Sequence, residues 1–363
     1  MNFEIEDVEK TSKKKIRIKR QKLLTYVSIF FLIISCALTW VYYYLQGNTE
    51  KPKQSEQTSV EPINIKKIQI IDENSNDRPI AVMIDNNIGD NKHAGLQESY
   101  INYEIIVEGG LTRIMAIYKD KDVELIGPVR SSRHYFLDYS LEQDAIYTHY
   151  GWSPYAENNI KSLHVNNING MVDREPFTRD KNIPSPHNVF TSTNNIKVYA
   201  EKKNYSLTSN NWQLLNYSVD EVELLNPSSE ENDSILANQI SMDYSNSESR
   251  SYTYDSENKY YLRYSNGKEH IDKISNNQLH YKNIIIMKVA NKTIDSEGRQ
   301  DLDTVGMGEG YYITNGYAKP ISWSKTTRSS KTKYIYKDGT EVIINDGNTF
   351  IQIIPISSNL VIE

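Results

Sequence analysis

Leu23 to Leu45 is a run of 23 positions without a single charge, directly after a basic stretch. Such a run leaves the backbone few choices. In hydrocarbon every N–H and C=O must be satisfied from within, so a lone spanning segment folds as a helix. At about 1.5 Å per residue the run reaches roughly 34 Å, enough to cross a hydrocarbon core of about 30 Å. Lys10, Lys13, Lys14, Lys15, Arg17, Lys19, Arg20 and Lys22 precede it and belong on the cytoplasmic side by the positive-inside rule. Trp40, Tyr42, Tyr43 and Tyr44 sit at its far end, where aromatic rings meet the headgroups. The pattern predicts a single-pass cell-membrane protein: a basic cytoplasmic tail over 1–22, a transmembrane helix over 23–45, and the bulk of the chain extracellular.

Two other fates stay open for this segment. A cleaved secretory signal has a shorter apolar core, about 7–15 residues, and a small-residue cleavage site. Here the core is longer and is followed by Trp and Tyr. A lipoprotein signal is the second. Ile33-Ile34-Ser35-Cys36 loosely matches a lipobox, and Cys36 is the only cysteine. Lipidation there would leave a mature chain that starts with the apolar stretch Ala37 to Leu45 rather than a polar tether. All three fates put the bulk of the chain on the same side.

Beyond residue 45 the chain is acidic, with 33 Lys/Arg against 43 Asp/Glu. That balance argues against nucleic acid and against docking on anionic lipid. With no cysteine there, no disulfide can form within this part, so its stability must come from packed cores. The lack suits a Gram-positive surface. The 27 tyrosines could stack on sugars, but core packing is the plainer use.

Residues 46–77, rich in Lys, Glu, Gln, Ser and Asn with Pro52 and Pro62, read as a flexible tether. Only Ile68 to Ile71 hints at a strand. Residues 78–235 read as a mixed α/β domain. Pro79 to Ile84, Glu98 to Val107, Arg113 to Tyr118 and Ala145 to Tyr150 are strand candidates. A helix is expected from Ser131 or Ser132 to about Asp144, and another over 193–203. Residues 239–363 read as a smaller β-rich domain, with hairpin signals at Asn266-Gly267, Asn315-Gly316, Asp338-Gly339 and Asp346-Gly347. The fold class is therefore α+β, preceded by one transmembrane helix.

Three constellations could carry chemistry. Arg130 and Arg133 lie three apart in Gly127-Pro128-Val129-Arg130-Ser131-Ser132-Arg133-His134. At a helix start they would share a face and join free backbone N–H groups around a phosphate or carboxylate. The plain alternative pairs them with buried carboxylates such as Glu104 or Glu108. Second, Asp85, Glu108 and His149 fall at strand ends, where open α/β sheets gather ligand-binding residues. Glu108 beside Gly109-Gly110 is the leading acid/base candidate, with Asp85 or Glu98 assisting. Two carboxylates roughly 5–10 Å apart would suit glycoside cleavage. The alternative is a surface carboxylate. Third, Arg179 and His187 lie on a proline-stiffened loop. The seven histidines lack paired metal-ligand spacing, and there is no GxSxG, P-loop or GxGxxG. Gly306 to Gly310 reads as a bend before a strand. No metal and no cofactor are expected.

The stretch Arg78 to Asn86, then Gly95-Leu96 to Glu108, Thr112-Arg113, Gly127 to Arg133 and Pro186-His187-Asn188, resembles the YerB-like family. These are bacterial envelope lipoproteins with an N-terminal domain of unknown function. Gly310-Tyr311-Tyr312 to Pro355, with Trp323, Arg328 and Gly347 to Gln352, is similar to the family's smaller C-terminal domain. The resemblance implies a two-domain exported protein and supplies little chemistry. Carried over by motif, Asp85, Glu98, Glu108, Arg113, Arg130, Arg133 and His187 are the positions it highlights. A plain lipoprotein begins with a polar mature segment, and this chain departs from that.

The expectation is an extracytoplasmic envelope protein that binds or cleaves cell-wall glycan, peptidoglycan or an anionic wall polymer, through a cleft in the first domain. Arg113, Arg130, Arg133, His149 and His187 would bind; Glu108, Asp85 and Glu98 would catalyse if it is a hydrolase or lyase. The alternative is a non-enzymatic scaffold for a membrane or wall protein, with no nucleic-acid partner.

Overall fold

A computed structural model describes residues 3–47, 67–87, 92–212, 215–225 and 233–363, with side chains of the first helix from Arg17. Residues 48–66 of the expected tether lie outside the described residues. The chain divides into two units, 1–65 and 66–363.

The first unit is one helix, α1, Phe3–Gly47. It runs without a break from the basic tail through the apolar run. Its segment Arg17–Gln46 is long and apolar enough to cross a membrane. Three hydroxyls inside that segment are satisfied by the helix itself. Thr25, Ser28 and Thr39 each donate to the carbonyl four residues earlier, at 2.8–2.9 Å. Cys36 is a free thiol on the exposed helix surface.

In the second unit, packing begins at Ile68: Ile68, Ile70 and Ile71 are buried, and the Asp346 carboxylate accepts the backbone N–H groups of Gln69 and Ile70. The four strands expected in the first domain form as β1 (Ile80–Asp85), β2 (Ile101–Ile106), β3 (Thr112–Tyr118) and β4 (Ile146–His149), and a short fifth strand not expected from the sequence, β5 (Asn167–Asn169), follows them. β1 is apolar at every position but Asp85 because both of its faces are buried, as in a sheet covered on two sides. β1, β4 and β5 run parallel. β4 and β5 are joined by a helix, α3 (Pro154–Ser162), whose Ser153 side chain caps the N–H of Ala156. This helix is not among those expected from the sequence, although Ser153-Pro154 carries its start signal, a capping hydroxyl followed by proline at the first helical position. The helix at 193–203 forms as Thr193–Lys202, capped by Ser192.

The β-rich region supplies β6 (Gln239–Ser245), β7 (Glu248–Asp255) and β8 (Tyr260–Ser265), an antiparallel meander in a six-stranded sheet. It also supplies β9 (Asn283–Val289), β10 (Gly306–Thr314), β11 (Tyr317–Lys325) and β12 (Lys333–Ile335), which join the first-domain strands through β13 (Thr349–Pro355). Among the described residues the shared sheet has eleven strands, ten along the path β12-β11-β10-β9-β13-β2-β3-β1-β4-β5 and a short one, Ile235–Leu236, paired beside them with β11. β13 pairs parallel with β9 on one side and β2 on the other. The family-like N- and C-terminal segments therefore share one sheet, with β13 at the seam.

Asn266-Gly267 and Asn315-Gly316 have positive φ at both positions, the geometry that type I′ hairpin turns need. Asp346-Gly347 is a correction. It leads into β13, whose partners are parallel, so it closes no hairpin, and the Asp346 carboxylate holds the Ile68 segment instead. Gly306 to Gly310 is also strand: it opens β10, and a Cβ at Gly310 would lie 1.9 Å from the Ile286 carbonyl oxygen.

The two sheets meet over a buried polar centre. Residues 248, 250 and 252 alternate inward along β7, as strand periodicity requires. Arg250 Nε donates to Glu104 Oε1 at 2.6 Å, and Arg263 Nη2 to Oε2 at 2.7 Å. Thr112, Asn86 and Gln352 donate to the same carboxylate. All three ionic side chains are fully buried. Burial pushes the Glu104 carboxyl up, but Arg250 and Arg263 outweigh it and hold the group below the usual carboxylate range.

Candidate functional site

The segment Gly127 to Arg133 is not a helix start. It is extended and lies across the carboxyl ends of β1 and β4. Pro128 O accepts from Asp85 N at 2.8 Å, Arg130 N donates to Met83 O at 2.9 Å, and Ser132 N donates to Gly151 O at 2.9 Å. The second helix, α2, begins only at Phe136, with no side-chain cap. Ser131 donates its hydroxyl to Tyr150 O, and Ser132 Oγ accepts from Tyr147. The expected anion site on free helical N–H groups is therefore absent: strand-end bonds consume the backbone donors, and neither serine caps.

The arginines nevertheless gather carboxylates. Arg133 grips Glu108 with two bonds, Nε to Oε1 at 2.5 Å and Nη2 to Oε2 at 2.7 Å. Arg130 Nε lies 3.0 Å from Asp85 Oδ2, but buried Nε makes no hydrogen bond, so this is charge contact without aligned donation. His187 Nδ1 also meets Asp85 Oδ2, at 2.6 Å. Arg113 sits opposite Asp85 in the β1–β3 register and donates Nη1 to Ser131 O at 2.8 Å. Burial, then the neighbouring Arg133, push the Arg113 guanidinium down to about 10, while Glu108 and Asp85 pull it back up.

Glu108 is pushed up by burial, but the Arg133 bonds and charge prevail and hold it below the usual carboxylate range. It is an ionised acceptor. Glu98 stands apart, half-buried, with Asp272 and Lys121 as charged neighbours; burial raises it. The structure thus brings Asp85, Glu108, Arg113, Arg130, Arg133 and His187 together and leaves Glu98 out.

His149 is buried beneath the site. Its ring contacts Gly151 O at 2.7 Å and the Asn167 amide at 3.2 Å, and burial pushes it down to about 4. It is a neutral support residue. A second pair of histidines links the site to the polar centre. Arg263 Nε can only donate, so His270 Nδ1 accepts at 3.1 Å. His270 Nε2–H then donates to His93 Nδ1 at 2.8 Å, and His93 Nε2–H to Asp85 O at 2.5 Å. The chain of donors fixes both tautomers as neutral.

Beside Arg130 opens a cleft of about 640 Å³, a size that suits small ligands. It lies at the carboxyl ends of parallel strands β1, β4 and β5, where open α/β sheets place ligands. Tyr150, Trp152 and Arg179 line it with Arg130. Tyr150 lies tight on Gly170, where a Cβ would come 2.2 Å from its ring. Arg179 is exposed, donates to Asn188 Oδ1 at 2.6 Å and Tyr150 Oη at 2.9 Å, and among the described residues has no carboxylate partner. Tyr150 and Trp152 were not singled out in the sequence; their place just past the end of β4 was the available signal. Among the described residues no cluster of three or more His, Cys, Asp or Glu is placed to hold a metal ion.

Comparison with known proteins places this geometry in a family. Residues 68–206 match the N-terminal domain, and 240–351 the C-terminal domain, of a protein family of unknown function, DUF3048. The chain is 30% identical over 327 residues to the "Putative lipoprotein YerB" of Bacillus subtilis (strain 168), covering 88% of this chain and 94% of that protein. It is also similar to the crystal structure of the YerB protein from Bacillus subtilis. That match has a TM-score of 0.68 at 30% identity and covers 78% of this chain and 94% of the other.

Proposed function

The chain belongs to the YerB-like family of DUF3048 proteins, and from that premise we propose that it is a membrane-anchored envelope protein whose cleft binds an anionic group of a cell-wall polymer. One observation carries this reading. Among the described residues three clustered guanidiniums, Arg113, Arg130 and Arg133, meet two carboxylates, Asp85 and Glu108, and Arg130 of this cluster lines the cleft. Arg179 on the cleft wall adds a further cation with no carboxylate partner among the described residues. The site is thus electropositive within a chain of net charge −6. Partly buried cations lacking counter-ions favour an anionic ligand, and forked guanidiniums suit phosphate or carboxylate.

Binding fits the geometry better than cleavage. A glycosidase of the usual kind needs one protonated carboxyl and a second at a set distance. Glu108 is held ionised by Arg133, Asp85 is shared by Arg130 and His187, and Glu98 is elsewhere. α1 supplies the anchor, and the positive-inside rule turns the second unit outward, toward the wall.

The test is co-sedimentation of the full-length protein, in detergent, with purified peptidoglycan sacculi before and after their anionic polymers are stripped. The reading expects retention on the intact sacculi, falling with salt and on stripping. Equal retention on stripped sacculi contradicts it.

A further inference from the structure

The same cleft has an apolar half that an anionic polymer leaves unused. Beside Arg130 and Arg179 its wall is built from Val129, Trp152, Met171, Val172, Pro186 and Val189. Met171 and Val172 are held out to solvent, 57% and 75% exposed. They are not on a loose loop. Met171 N donates to Asn169 Oδ1, Val172 N and Asp173 N to Asn169 O, and Asn169 N to Asp173 Oδ2, at 2.7–3.1 Å. Asp173 is fixed in turn by Lys203 and Tyr199. A braced turn therefore presents two adjacent apolar side chains next to an exposed guanidinium. Sugar hydroxyls find few partners on that wall, whereas methylene groups would remove it from water.

We propose that the cleft takes an amphiphilic phosphate: a phosphate monoester on a single apolar chain. The phosphate sits at Arg130 and Arg179, and the first methylenes lie against Trp152, Met171 and Val172. The proposal rests on the anion-binding reading of this cleft and names its ligand class. Charge complementarity sets the headgroup, and the cleft of about 640 Å³ has room for it with a single chain beside it.

The experiment is calorimetric titration of the full-length protein in phosphatidylcholine nanodiscs, with empty discs as reference, using inorganic phosphate, butyl phosphate and hexyl phosphate. The expected result is binding of all three, tightening by about fourfold per methylene buried. The double substitution Met171→Ser, Val172→Ser flattens that series while inorganic phosphate still binds. Equal affinity for hexyl and inorganic phosphate overturns the amphiphile and leaves the anion reading standing. Absence of binding by every probe overturns both. Discs doped with diacylglycerol phosphate should not compete with hexyl phosphate; competition would overturn the single-chain assignment.

Discussion

Arg133 holds Glu108 by both edges of its guanidinium, at 2.5 and 2.7 Å, so the residue that looked most like a catalytic acid is half of an ion pair. A carboxylate accepting two charged donors stays ionised and gives up its proton readily, the opposite of what a general acid needs.

Glu108→Gln therefore separates structure from catalysis. The amide keeps the size and loses the charge, so unfolding in urea should show a loss of about 1–2 kcal/mol. Anion affinity, read by calorimetry, should hold or rise because the site gains positive charge. A loss of anion binding in a folded variant would contradict the role assigned to Glu108.

Glu104→Gln should be far more damaging. The substitution leaves Arg250 and Arg263 fully buried with no carboxylate, and breaking a buried ion pair from one side costs about 3–5 kcal/mol. Denaturant midpoints of the wild type and variant check it. A cost under about 1 kcal/mol would mean that water or relaxation reaches this centre.

Acid should weaken the fold earlier than carboxylates alone would. Burial holds His93 and His149 down to about 4, and His270 well below the ordinary value of 6.5. Each is neutral when folded, and His93 packs among Asp85, Arg250, Arg263 and His270. For a histidine whose folded pKa is depressed, the unfolded chain takes the proton first. The stability it supports is complete above pH about 6.5 and falls as the pH drops toward about 4. His93 and His149 each contribute on the order of 3 kcal/mol over that window. Urea midpoints at pH 7.5, 6 and 5 should decline, and His149→Gln should shallow the decline. A flat profile between pH 7.5 and 5 would contradict neutral buried histidines.

The anchor makes its own prediction. Cys36 lies inside the continuous helix Phe3–Gly47 rather than at its C-terminal end. Mass spectrometry of the intact membrane-extracted protein should show the chain upstream of Cys36 retained. A lipid-modified chain starting at Cys36 would replace the helix with a lipid anchor.

Much of the fold was legible because single-strand patterns are local. β1 is apolar at five of its six positions, and the Asn-Gly turns at 266 and 315 fix their hairpins by φ alone. The tyrosines read as core residues are core: Tyr100, Tyr103, Tyr139, Tyr252 and Tyr281 are among the largest fully buried side chains. What was not legible is pairing at long range. Nothing near Thr349–Pro355 signals that it enters between β9 and β2. The arginine motif failed as a helix for a related reason. Met83 and Tyr150, well separated from Arg130 in sequence, claim its backbone groups, and tertiary bonds override the local capping signal. The candidate site was half visible. Asp85 and Glu108 lie at strand ends as read, and Arg130 and Arg133 reach them from an extended segment rather than from the expected helix start, but Tyr150 and Trp152 carry no motif. They become cleft residues only because β4 ends beneath the motif.

An excess of guanidinium over carboxylate makes this cleft an anion site in the proposed function. Calorimetric titration of the full-length protein in nanodiscs with a glycerol-phosphate oligomer, wild type against Arg130→Gln/Arg179→Gln, tests it most directly. Removing two cations should weaken binding at least tenfold, equivalent to about 1.4 kcal/mol, and reduce its salt dependence while near-ultraviolet circular dichroism stays unchanged. Unaltered affinity in the folded double variant would contradict the account.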